Sequence, residues 1–223
     1  MTTDISRLVI AIDGPAGSGK STIASQVAEK INGRKLDTGA IYRSFALYAA
    51  SLGITDYENT DWNDVVKGFH LEFKTGGEII LNGRSITDEI RTPDNASAAS
   101  RIAVIPQVRA ALMDIQRTLA LPGPTVCEGR DMGSVVFPDA PWKFFLTATP
   151  EVRARRRFLE LSEKGSSVTY EEVLEQQIER DKRDSERDVA PLKPTSDAEI
   201  IDSSIMSIPA VVSLILSKLK INN

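Results

Sequence analysis

The segment Gly14-Pro15-Ala16-Gly17-Ser18-Gly19-Lys20-Ser21 fits the pattern G-x-x-x-x-G-K-[ST] and limits what the rest of the chain can become. It follows the apolar run LVIAID, Leu8 to Asp13, and opens into a pattern with helical spacing. A continuous apolar run of this length reads as a strand buried on both faces of a parallel sheet. Strand, glycine-rich loop and helix together form a cradle for an anion. The glycines let successive backbone N–H groups turn inward, and the helix N-terminus adds a positive dipole. Gly14 to Thr22 are therefore expected to bind the phosphates of ATP or GTP, with Lys20 reaching the β and γ phosphates and the Ser21 hydroxyl available to Mg²⁺. Asp13, just ahead of the loop, is expected to orient it.

Further strands are expected near 34–37, 124–128, 142–147 and 199–202, separated by helical patterns. Ile105, Val108, Leu112, Ile115 and Leu119 recur at spacings of 3, 4, 3 and 4, behind a proline at a helix start. Residues 150–164, 170–188 and 208–220 also read as helices. Strands alternating with helices imply a doubly wound α/β fold. One region breaks the rhythm: Phe69, Leu71 and Phe73 alternate with His70, Glu72 and Lys74, then come a turn at Thr75-Gly76-Gly77, a strand to Leu81 and the hairpin signal Asn82-Gly83. This predicts a small antiparallel meander inserted at about 60–95. His70, the only histidine, falls opposite the phenylalanines as a solvated strand residue.

The 223 residues carry 27 basic and 31 acidic side chains, so the net charge is 27 − 31 = −4, which argues against a protein that binds nucleic acid by overall basicity. The single cysteine, Cys127, can form neither an intrachain disulfide nor a thiolate zinc site, and it sits inside a strand as a packing residue. No secretory signal and no apolar stretch of about 18 residues is visible, so a cytoplasmic protein is expected. Eleven of the 16 arginines lie between Arg101 and Arg187, and arginine is the residue of bidentate phosphate recognition.

Several of these arginines fall where ligands bind in open α/β sheets, at the carboxyl ends of strands. Thr38 and Arg43 lie in LDTGAIYR at 36–43, and Arg130 and Asp131 follow the strand at 124–128. All four are expected to converge near the loop, and two arginines aimed at one place suggest a second phosphate. Arg180, Arg183, Asp184 and Arg187 share one helix face, as do Arg153, Arg156 and Arg157 on the preceding helix. Such a helical hairpin suits a lid that neutralises a transferring phosphoryl group, although Glu179 with Arg183 and Arg180 with Asp184 are also good i, i+4 pairs. A phosphate acceptor would need no catalytic base, because a monoester with second pKa of about 6 is mostly dianionic at pH 7. A kinase with a non-nucleotide acceptor such as shikimate, and an ATP-bound regulator without turnover, are the competing readings. A GTPase switch is disfavoured, since no N-K-x-D string is present.

The residues then resemble the bacterial cytidylate kinases over nearly the whole chain. The resemblance rests on DGPAGSGKST at 13–22, LDTGAIYR at 36–43, EIRTPDNASAAS at 89–100, PQVR at 106–109, EGRDMGSVVFPDAP at 128–141 and RDKRDSERDVAPL at 180–192. It implies a P-loop NTPase fold with a central parallel sheet flanked by helices, an antiparallel β insertion in the monophosphate-binding region, and a helical lid. The implied organisation is one kinase domain over 1–223, with a core of 1–55, 96–150 and 190–223, the insertion at 60–95, and lid and charged helices at 151–189. The implied reaction is ATP-dependent phosphorylation of CMP and dCMP, with Mg²⁺, in a monomer. Arg43 and Arg130 would hold the acceptor phosphate. Thr38, Ser100, Arg109, Asp131 and Arg187 would surround the cytosine, and Arg180 with Asp184 would contact the pentose. Lys20, Arg130, Arg157 and Arg180 are the expected catalytic residues, and Ser21 the expected metal ligand.

Overall fold

The computed structural model describes residues 8–74, 77–120, 123–163 and 165–219. Along the chain it runs β1 (Val9–Asp13), α1 (Lys20–Lys30), β2 (Arg34–Asp37), α2 (Thr38–Ser51), α3 (Trp62–Lys67), β3 (Leu71–Phe73), β4 (Ile79–Leu81) and β5 (Arg84–Ser85). There follow α4 (Pro93–Ile102), α5 (Pro106–Ala120), β6 (Thr125–Gly129), β7 (Trp142–Thr147), α6 (Pro150–Glu163), α7 (Tyr170–Glu186), β8 (Glu199–Asp202) and α8 (Ile208–Leu219). The chain divides into two compact units, one of residues 1–36 with 119–223 and one of residues 37–118.

The first unit is built on a five-stranded sheet in the order β2-β6-β1-β7-β8. β1 is central and pairs in parallel with β6 and β7, so Asp13 lies level with Gly129 and Phe145, and β7 pairs in parallel with β8. A strand flanked on both sides and covered on both faces must be apolar throughout, which is why Leu8, Ile10 and Ile12 are almost fully buried. They join Ile23 and Val27 of α1, Val126, Phe144, Leu146, Ile201, and Val211, Val212, Ile215 and Leu219 of α8 in one core. Each large side chain contributes about 1.5–3 kcal/mol by leaving water. The carboxyl ends of β1 and β6 are thus fixed side by side. α7 begins with a capping box, in which Thr169 accepts from the Glu172 amide while the Glu172 carboxylate accepts from the Thr169 amide.

The second unit contains α2 to α5 and the meander β3-β4-β5, whose strands pair antiparallel. Asn82 (φ 47°) and Gly83 (φ 82°) make the hairpin turn between β4 and β5 with left-handed backbone, as the Asn-Gly pair implies. The turn expected at Thr75-Gly76-Gly77 lies partly outside the described residues. The strand begins at Leu71, two residues later than the alternation suggests. Phe69 is instead drawn into an aromatic cluster, with its ring centroid 5.1 Å from Phe45 and 5.8 Å from Tyr48. Asn82 extends the pairing beyond β3: its amide donates to the His70 carbonyl at 2.9 Å, and its side chain accepts from the His70 amide at 3.0 Å and donates to Gly68 carbonyl at 2.9 Å. His70 itself is exposed.

Candidate active site

The loop between β1 and α1 has the left-handed residues its glycines were expected to supply, at Gly14, Gly17 and Gly19. Gly14 is required twice over, since a Cβ there would lie 2.0 Å from the Leu146 carbonyl oxygen of β7. Asp13 ties the loop's root to the turn after β6: its carboxylate accepts from the Met132 and Gly133 amides, each at 2.8 Å. Burial pushes the Asp13 carboxyl up to about 6, against the pull of those two amides. Ser18 Oγ donates to Pro15 carbonyl at 3.0 Å, closing the loop on itself.

Lys20 is buried, and its ammonium donates to Pro15 carbonyl at 2.6 Å and to Ser18 Oγ at 3.3 Å. Burial first, then the positive charges of Arg130 and Arg180, hold it well below an ordinary lysine, while Glu128 and Asp13 act the other way. Lys20, Arg130 and Arg180 therefore form one field of positive charge beside the loop, which is the electrostatic demand of a site that receives phosphates.

Arg130 is aimed by Asp184 of α7, whose carboxylate accepts from its Nε at 2.9 Å. Burial raises the Asp184 carboxyl, but Arg130, Arg180 and Arg187 outweigh it and keep the group below the usual carboxylate range. The acid on α7 is thus hydrogen-bonded to an arginine 54 residues away, with its helix neighbour Arg180 acting on it electrostatically as well. Arg187 lies 4.0 Å from Asp131, and both side chains are buried. Arg130, Asp131, Arg180, Asp184 and Arg187 are brought together as one charged group on the first unit.

The helix-face arginines of α6 separate into different tasks. Arg153 is buried and spends its guanidinium inside the protein, on Ala148 carbonyl (2.9 Å), Ala16 carbonyl of the loop (3.0 Å), Gln177 (3.4 Å) and Asp181. Arg156 donates to Ser203 carbonyl at 2.7 Å and to its Oγ at 3.2 Å, and Ser203 Oγ in turn donates to Ser18 carbonyl at 3.1 Å. These two brace the loop, Arg153 directly and Arg156 through Ser203. Arg157 pairs with Glu160 at 2.8 Å, partly exposed. Gln177, Asp181 and Ser203 were missed from sequence. The first two share a helix face at i, i+4, which is the only signal they leave, and Ser203 leaves none.

In the second unit Thr38 is buried at the start of α2, and Arg43 bonds Asp37 at 2.9 Å while Asp37 caps the helix through the Ala40 amide at 2.9 Å. Arg43 folds so close over Gly39 that a Cβ there would stand 3.0 Å from its Nη1. Arg43 Nε is buried with no hydrogen-bond partner among the described residues. Ser100 of α4 and Arg109 of α5 are buried, and Arg109 donates to Ala103 carbonyl at 3.1 Å.

The profile described as "Cytidylate kinase" matches residues 10–221. The chain belongs to the cytidylate kinase family. It is 49% identical over 211 residues to a cytidylate kinase of Fervidobacterium nodosum, covering 95% of each chain. It is 48% identical over 216 residues to one of Pseudomonas aeruginosa, covering 93% of each, and 47% identical over 209 residues to one of Clostridium tetani, covering 94% and 92%. Membership of the cytidylate kinase family accounts for a phosphate loop and a separate arginine set in one chain, and it brings a requirement for a divalent metal with the donor nucleotide. No helix among the described residues is long and apolar enough to cross a membrane.

Proposed function

We infer that this chain transfers the γ-phosphoryl group of ATP to the phosphate of CMP or dCMP, giving ADP and CDP or dCDP. The observation that carries the reading is the joint field of Lys20, Arg130 and Arg180 beside the phosphate loop, with Arg130 held by Asp184. An oxygen of the acceptor phosphate attacks the γ phosphorus in line as the bond to the β–γ bridging oxygen breaks. The chain's part is positioning and charge. Residues 14–22 hold the ATP phosphates, Lys20 follows the charge moving toward ADP, and Arg130, Arg157 and Arg180 neutralise the group in flight. Lys20's weakened hold on its proton is no obstacle, because two bound nucleotides bring enough negative charge to keep it cationic.

Arg43 and Arg130 bind the acceptor phosphate. Arg43's partly exposed guanidinium, braced by Asp37, supports this assignment. Thr38, Ser100, Arg109, Asp131 and Arg187 surround the cytosine, and Arg180 and Asp184 contact the pentose. Cytosine offers an amino donor at N4 and acceptors at O2 and N3, so a carboxylate and arginines suit it, whereas uracil's O4 would oppose a carboxylate.

The oxygen donors suit Mg²⁺. Ser21 offers a hydroxyl in the first turn of α1, and the Glu128 carboxylate acts on Lys20 from the end of β6, which leaves phosphates and water to complete the shell. Ser21 would hold Mg²⁺, which when bound offsets charge on the β and γ phosphates.

The test is ADP release with CMP, dCMP, UMP, AMP and shikimate in parallel. Turnover with the cytidylates above the rest is expected, and absence of ADP release with every acceptor would reject the kinase reading. Asp131→Asn should reduce the CMP over UMP preference in kcat/KM by about 10-fold or more, the scale of one lost base-reading contact. An unchanged ratio would remove Asp131 from base selection.

A further inference from the structure

Lys35 belongs to none of the motifs read from the sequence, yet it stands beside Ser21 at the end of the loop. From β2 its ammonium donates to Ser21 Oγ at 3.0 Å and lies 4.0 Å from Glu128 Oε1. These two oxygens are the hard donors that the reading above assigns to the vicinity of Mg²⁺. A partly exposed ion pair of that length stabilises a fold very little, so fold stability does not account for the placement. The side chain is 30% exposed, and a flexible four-carbon stem lets the ammonium withdraw into water without unfolding anything.

We propose that Lys35 is a resident cation: it holds the oxygens of Ser21 and Glu128 until the metal–nucleotide complex arrives, and the metal must displace it. A dication and an ammonium repel each other at this spacing even in a water-like dielectric, so they compete for the same oxygens. Lys35 thereby weakens metal binding. Before the metal binds, the same charge attracts nucleotide phosphates. Its removal should therefore move two affinities in opposite directions, which a merely structural lysine would not do.

The inference rests on the metal–nucleotide reading, and the experiment separates the two. Binding of Mn²⁺ to the complex of the full chain with ADP is measured by loss of the free-ion electron paramagnetic resonance signal, and metal-free ADP binding by calorimetry in chelator. Lys35→Met is expected to tighten Mn²⁺ binding on the order of tenfold and to weaken metal-free ADP binding several-fold. Lys35→Arg should stay near the wild type, and Ser21→Ala added to Lys35→Met should abolish the gain in Mn²⁺ affinity. Unchanged or weaker Mn²⁺ binding in Lys35→Met, or a gain that survives loss of the Ser21 hydroxyl, overturns the role of Lys35. Wild-type protein that fails to bind Mn²⁺ with ADP overturns the metal–nucleotide reading itself.

Discussion

Asp13 shows how one residue can be indispensable to a site and costly to the fold. Its two amide hydrogen bonds set the root of the phosphate loop, yet burial raises its carboxyl from 3.8 to about 6. A carboxyl whose pKa rises on folding favours the folded state while protonated. That contribution is complete below about pH 4 and is lost as pH rises through 6, a swing of about 3 kcal/mol at most. The difference in unfolding free energy between wild type and Asp13→Asn, measured by urea at intervals from pH 4 to 7, should therefore shift against the wild type with rising pH. A flat difference would mean that Asp13 keeps an ordinary pKa. Cys127 has the opposite character: burial pushes its thiol up to about 12, so the packing role read from its place in a strand leaves it chemically inert.

At the scale of elements, what was legible in the sequence followed from neighbours along the chain. The phosphate loop, the strand–helix alternation and the meander all show in local spacing, and the strands expected at 34–37, 124–128, 142–147 and 199–202 lie within a residue of those bounds, whereas the helix Trp62–Lys67 inside the expected insertion went unread. Phe69 misled because strand alternation and an aromatic cluster ask for the same residue type, and the cluster won. The i, i+4 spacing of Arg180 and Asp184 is visible in a sequence, whereas the bond of Asp184 to Arg130 at the exit of β6 is not. Arg153 escaped for the same reason. It joins the loop at Ala16, 137 residues earlier, to Gln177 and Asp181 of α7. Arg153→Ala leaves Asp181 without its partner and should destabilise by about 3–5 kcal/mol, with Arg153→Lys intermediate, as read by chemical unfolding. A loss under about 1 kcal/mol would show that the strut is not needed. ADP affinity should fall in the same variants, since the loop's Ala16 carbonyl loses its anchor.

For the whole molecule, the net charge of −4 conceals a cationic site assembled from strand ends and helix faces. The acidic remainder keeps non-specific anions away, while the local field draws in the phosphates that fit. The hydrogen bond from Ser203 to Ser18 spans 185 residues and carries a consequence for how the chain reaches this state. Contacts of such separation close late, because a long loop must be ordered before they repay its entropy. The phosphate loop takes its local shape from its own glycines, but its outer support arrives only when β8 has docked beside β7. Recovery of ADP binding during refolding from urea should therefore follow the slowest phase of the first unit rather than the appearance of helical circular dichroism. Binding that returned with the earliest phase would show the loop to be self-sufficient. Nucleotide can thus reward a finished fold but cannot template one.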